Sequence, residues 1–234
     1  LAAGAVMYIN ANMRILAVAD LHGNLRALDA ILAEAPPVDV VVLAGDITHF
    51  GPVRVVDTLI RRCSRLGPVV AVGGNCDGPD VALRLKELGV SVHADAREVL
   101  GATFYGAGSA QRWRSLTWEV GEDVLAGWLA QARARAESLA GGGPRVLVSH
   151  APPYGVCDRS HAGHPGGSTA VRNAVETDHP DLVICGHIHE AAGEAACGAT
   201  RVVNCGPSVE GWYSVIELGQ EIRVSRARGR VGRR

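Results

Sequence analysis

Short runs of Val, Ile, Leu and Ala recur along the chain, each broken off by a polar residue or glycine before a helical pattern begins. Residues 13–19 (MRILAVA) stop at Asp20, residues 39–44 (DVVVLA) at Gly45-Asp46, and PVVAVG from Pro68 at Gly74-Asn75. RVLVS from Arg145 stops at His150, and DLVIC from Asp181 at Gly186-His187. Apolar runs without polar alternation are those of strands buried on both faces. Amphipathic patterns between them predict helices over 24–34, 52–66, 79–88, 121–139 and 168–178. Asn24 stands as one N-cap, Ser168 or Thr169 as another, and Pro52 at a helix start. Two further strand-like stretches, 89–106 and 200–227, have no helices inside them. The expectation is a mixed α/β domain of two sheets with helices outside.

Open α/β sheets bind ligands beyond the carboxyl ends of their strands. Here those ends carry Asp20, Asp46, Asn75, His150 and His187. In extended chain, residues two apart share a face, so D-L-H would present Asp20 with His22, and G-H-I-H would present His187 with His189. Taken singly, each motif also reads as a helix cap, a turn aspartate or a loop histidine. Together they form a set of carboxylate, amide and imidazole donors without thiolate, which suits Mn, Fe or Zn. Seven ligands exceed one tetrahedral ion but serve two if a carboxylate bridges, with Asp46 as the natural bridge.

Composition narrows the partners. Hydrophobic residues make up 47% of 234, charged ones 20%, and the formal net charge is −1. That balance permits a large core and gives no global field for nucleic acid or an anionic membrane, so neither is expected as a partner. No run reaches the roughly 18 apolar residues of a membrane span. The six cysteines form no C-x-x-C pair and read as reduced thiols of a cytoplasmic protein. Residues 1–12 read as an N-terminal extension, 13–227 as one domain and 228–234 as a basic, solvated, frayed tail. The chain leaves room for a homo-oligomer.

The ordered set D-L-H, G-D, G-N-C-D, S-H-A-P-P and G-H-I-H, from residue 20 to residue 189, resembles the calcineurin-like metallophosphoesterase family. The segment HAPPYG…GGS is similar to its Icc-type phosphodiesterase branch. This resemblance implies a four-layer α/β/β/α sandwich of two mixed sheets holding two divalent metal ions, Mn first, with Fe, Zn, Ni or Co as alternatives. It implies Asp20, His22, Asp46 and His189 around one ion, and Asp46, Asn75, His150 and His187 around the other. The implied reaction is hydrolysis of a small or nucleotide phosphodiester by a hydroxide bridging the two ions. Phosphomonoesterase or protein-phosphatase-like activity, and a non-catalytic scaffold, are the competing readings.

Cys76 departs from the G-N-H pattern of many relatives, whose histidine donates a proton near the leaving group. A thiol cannot replace an imidazolium, and general acid help is worth about 10²–10⁴-fold, so diesters are favoured over monoesters. A subset of small prokaryotic relatives also carries G-N-C-D and is associated with phosphodiesterase activity. Asp77 and Asn24 are expected to fix the imidazoles. In the long loop 152–168, Arg159, His161 and His164 are candidate substrate contacts, against the plainer reading of surface loop residues. Arg112, Trp113, Arg114 and Trp118 could stack and bind phosphate, or simply pack.

Overall fold

The computed structural model describes residues 12–112, 117–139 and 141–232. Its first half alternates strand and helix: β1 (Met13–Val18), α1 (Leu25–Glu34), β2 (Val40–Ala44), α2 (Arg54–Cys63), β3 (Val69–Val72) and α3 (Pro79–Glu87). Then come β4 (Asp95–Val99), β5 (Ala102–Ala107), β6 (Ala110–Gln111), β7 (Glu119–Val120), α4 (Glu122–Glu137), β8 (Arg145–Ser149), α5 (Thr169–Asp178) and β9 (Leu182–Cys185). The chain closes with β10 (Gly193–Cys197), β11 (Thr200–Asn204), β12 (Trp212–Leu218) and β13 (Ile222–Arg228).

One sheet has the order β13-β12-β1-β2-β3, the other β10-β11-β9-β8-β5-β4. In the first, β1, β2 and β3 are parallel; in the second, β5, β8, β9 and β11 are. The parallel strands of each sheet are buried on both sides, as the unbroken apolar runs require, whereas the edge strands β4, β10 and β13 are partly exposed. Ile15, Val42 and Val72 meet Phe104, Val148 and Ile184 between the sheets. Leu16, Leu43 and Ala71 face Leu28, Leu59 and Leu85 of α1–α3. On the other outer side, Tyr105, Leu147 and Val183 pack on Leu125, Leu129 and Val171 of α4 and α5. The architecture is a four-layer α/β/β/α sandwich of two mixed sheets.

The caps form as expected: Asn24 accepts from the N–H of Ala27, and Ser168 from that of Val171. The helix expected over 52–66 is shorter, and β10, which carries Gly193 and little β-branched sequence, lies outside every expected strand. The tail expected to fray is docked through Arg230: the Gly229 N–H reaches the Gly211 carbonyl at 2.9 Å, and the Arg230 N–H reaches Glu34 at 2.9 Å. Gly229 lies against the backbone of Ala30 and Ile31, where no side chain would fit. The expected extension, apart from Asn12, lies outside the described residues, as do Trp113 and Arg114. No described helix is long and apolar enough to cross a membrane. The six cysteines are free thiols.

Candidate metal centre

The parallel strands of each sheet all end on the same side, and the polar residues that follow them meet there. Asp20 and His22 follow β1, Asp46 follows β2, Asn75 follows β3, His150 follows β8, and His187 and His189 follow β9. Shared strand faces do not align the pairs, contrary to expectation. Both strands end before the motifs: Asp20, His22, Asp46 and His187 have φ of 57°, 46°, 48° and 70°, and His189 opens a 3₁₀ turn. The left-handed backbone turns the chain sharply and brings these side chains to one point.

Asp20 is fully buried, accepts from the His187 N–H and lies 3.4 Å from His189 Nε2. Gly186 and Gly206 press against it, where any Cβ would collide with its carboxylate. Asp46 has one oxygen 3.8 Å from His22 Nε2 and the other 3.4 Å from His150 Nε2, so its carboxylate lies between two donor groups. That second oxygen also accepts the Cys76 N–H at 2.8 Å. Metal-competent atoms of Asp20, His22 and His189 lie within 4.8 Å of one another, as do those of Asp20, Asp46 and His150.

The donor chemistry fits cations. Nδ1 of His150 lies 2.9 Å from the Ala44 carbonyl, which fixes a proton there and turns Nε2 inward. Nε2 then faces Asn75 Oδ1 at 2.9 Å and Asp46 at 3.4 Å. Three electron-rich atoms at such spacing need positive charge among them, either a proton or a metal ion. His22 Nδ1 and His187 Nε2 are buried with no hydrogen-bond partner. A native interior seldom leaves such groups bare without an ion or a water.

Electrostatics agree. Burial opposes the charged forms of both His150 and Asp46, but their mutual attraction outweighs it. His150 is raised to about 9, and Asp46 is held well below the usual carboxylate range. Burial lowers His187 to about 4, with the neighbouring His150 adding to the effect. Burial also lowers His22, against the pull of Asp46. Hydrogen bonding to Asp20 raises His189. Burial, then Asp46, pushes the Cys76 thiol far up.

The expected supports differ from those found. Asp77 touches no imidazole. Its carboxylate accepts the N–H groups of Ile47 (2.9 Å), Thr48 (2.8 Å) and Gly74 (2.8 Å) and the Thr48 hydroxyl (2.7 Å), tying the β2 and β3 turns together. Asn24 caps α1 and donates to the Val209 carbonyl. Sequence reasoning missed Asn204, which donates to the carbonyls of Ile188 (2.9 Å) and Cys157 (3.2 Å) and so holds the His187–His189 turn. It also missed His49, whose ring stands 5.4 Å from that of His22. Three residues past Asp46 in an otherwise plain loop, it carries no motif.

Of the loop candidates, Arg159 bonds the Gly163 carbonyl within its own loop. His161 reaches Glu190, next to His189, at 3.4 Å, whereas the His164 backbone serves only Ser160. Trp118 is buried against His93 and Trp128, which is packing.

The family model for calcineurin-like phosphoesterases matches residues 13–191. The chain belongs to that family. Membership makes it a metal-dependent phosphoesterase. It is similar to the uncharacterized protein MJ1162 of Methanocaldococcus jannaschii, with 30% identity over 202 residues, covering 83% of this chain and 88% of that one. It is 25% identical to the UPF0046 protein T07D4.2 of Caenorhabditis elegans, of which it spans 56%. The fold of this phosphoesterase is shared with TT1561 of Thermus thermophilus (TM-score 0.72, 23% identity, 92% of this chain and 99% of that one). A dimetal phosphatase from Danio rerio shares it more loosely (TM-score 0.56, 12% identity, 93% and 96% covered).

Proposed function

We propose that this phosphoesterase hydrolyses small or nucleotide phosphodiesters at a two-ion centre. Asp20, His22, Asp46 and His189 would hold one divalent ion, and Asp46, Asn75, His150 and His187 the other, manganese being the first choice. The observation that carries this reading is the Asp46 carboxylate, with one oxygen toward His22 and the other toward His150. When bound, the ions supply Lewis acidity toward the phosphoryl oxygens and activate water.

The chain's own residues supply positioning. The Ala44 carbonyl sets the His150 tautomer, Asp77 fixes the turns that carry Asp46 and Asn75, and Asp20 braces the backbone of His187. Such partners keep ligand atoms aimed without reorganisation during the reaction. Cys76, 7% exposed, offers a leaving oxygen only the weak donor of a thiol. A diester anion carries less charge than a monoester dianion and tolerates that lack better. Of the loop residues, His161 is our candidate substrate contact, supported by its 3.4 Å approach to Glu190, the neighbour of His189.

The test is hydrolysis of bis(p-nitrophenyl) phosphate against p-nitrophenyl phosphate by protein loaded with Mn, Ni or Co. Diester turnover should exceed monoester turnover, and Cys76→His should raise the monoester rate at least about tenfold. Absence of diester hydrolysis with all three metals would sink the reading.

A further inference from the structure

Resting on the phosphodiesterase reading above, we infer that His49 and Phe50 form an aromatic shelf selecting substrates that carry a planar ring, such as a nucleobase, on the esterified group. Five large apolar side chains are exposed among the described residues: Phe50, Leu83, Leu100, Val124 and Tyr154. Only Phe50 connects to a candidate ligand through ring contacts. Its ring centroid lies 4.6 Å from that of His49, which lies 5.4 Å from that of His22. Metal-competent atoms of His22, His49 and Cys76 fall within 4.8 Å of one another, so the shelf starts at the rim of the centre.

The backbone holds this arrangement against its own preference. Phe50 has φ of 57°, a region that a bulky side chain enters at a cost. Its N–H is bound to the Cys76 carbonyl at 3.0 Å, and the next N–H, of Gly51, to the Thr48 hydroxyl at 3.1 Å. That hydroxyl is itself anchored on Asp77. The strained turn is thus built from the same contacts that position Asp46 and Asn75. What it produces is a phenyl ring half in solvent (50% exposed) rather than in the core. Among the described residues its ring contact is His49 alone, and the rest of the ring faces solvent.

A flat apolar face next to a phosphate site suits a nucleobase or aryl group. Every base has a π-face, and stacking on an aromatic side chain strengthens binding without reading base identity. His49 makes no hydrogen bond with a described residue, and its ring N–H is free to donate to the sugar or phosphate of a stacked nucleotide. The occupant is therefore a nucleoside phosphoester bearing any base, with the phosphate toward His22 and the base over Phe50.

The test is calorimetric titration of the Mn-loaded protein with AMP and with ribose 5-phosphate, which share the phosphate and sugar and differ by the base. AMP should bind about tenfold tighter or more. Phe50→Ala should bring the ratio of the two affinities close to one. Phe50→Gly, which removes the ring and relieves the strain, should do the same, while Phe50→Tyr should keep the preference. Equal binding of the two ligands by the native protein, or an intact preference in both ring-deleted variants, would overturn the shelf. Equal binding with diester hydrolysis intact sinks the shelf alone. A failed diester assay with the AMP preference present sinks the phosphodiesterase reading alone.

Discussion

The two sheets bring different chemistry to the candidate centre and hold it by different means. Strands β1–β3 deliver Asp20, Asp46, Asn75 and one imidazole, whereas β8 and β9 deliver three imidazoles. The carboxylate side is tied by the buried carboxylate group of Asp77, which takes four hydrogen bonds from the turns after β2 and β3. On the imidazole side Asp20 accepts the His187 N–H, and the remaining ties are neutral groups, the Ala44 carbonyl and the Asn204 amide. The difference follows from what each half must keep in place. A turn bearing buried charge needs its N–H groups satisfied firmly, because an unpaired one there costs its full desolvation. An imidazole needs only its tautomer set and its turn anchored.

The strongest way to break this comparison is to remove the group that the two halves share. Asp46→Asn keeps the shape but removes the negative charge facing His22 and His150. Metal-dependent hydrolysis should fall by about 10³-fold or more, and bound metal per protein, by atomic spectrometry, should drop. Unchanged metal content and rate would refute the site assignment.

Next in size is the anchor on the carboxylate side. Asp77→Ala leaves the N–H groups of Ile47, Thr48 and Gly74 without their acceptor and should cost about 3 kcal/mol in urea unfolding. Asn204→Ala, on the imidazole side, removes two neutral bonds and should cost about 1–2 kcal/mol. If the order reversed, the contrast between charged and neutral anchoring would be wrong.

The smallest effect concerns a histidine outside the centre, where no ion obscures titration. His93 packs against Trp118 and Trp128, and its Nδ1 accepts the Gly108 N–H at 3.0 Å. Burial lowers it from 6.5 to about 4. Above pH 6.5 both folded and unfolded chains leave this ring neutral, and its contribution is whole. Below that the unfolded chain takes up a proton that the folded one refuses until about pH 4. Stability should therefore fall by up to about 1.4 kcal/mol per pH unit on acidification through that window. The buried histidines of the centre add their own slopes, so the measurement is the difference in urea midpoint between native protein and His93→Phe. That difference should shrink as pH falls; a difference independent of pH would contradict the burial argument.

Much of this was legible in the residues. Apolar runs without alternation marked strands covered on both faces, and each chemical residue stood immediately after one. Parallel pairing then gathers such residues at one end of each sheet, so the convergence within a sheet follows from the pattern. The geometry inside the centre was not legible. A period-two argument placed Asp20 with His22 and His187 with His189, yet all four follow strands that have already ended. Nothing in the local sequence shows that a non-glycine residue will be left-handed, because hydrogen bonds from distant segments enforce it. The Asp20 N–H, for instance, reaches the Gly45 carbonyl, and the His22 N–H that of Asp46. Asp77 and Asn204 were misjudged or overlooked for the same reason, since their partners come from other strands.

By itself the sequence determined the order of elements, the two-faced burial of the sheets and the kinds of donor atoms offered at their ends. These depend on the side-chain period and on composition, which are local quantities. Only the tertiary structure decided that one Asp46 oxygen faces His22 and the other His150, that His150 turns Nε2 inward, and that Cys76 is buried with its thiol pushed up. It also decided that Phe50 is held out in solvent beside them. Those properties arise from the approach of two separately wound sheets, where distance and desolvation, rather than neighbours in the chain, fix each group's charge and direction.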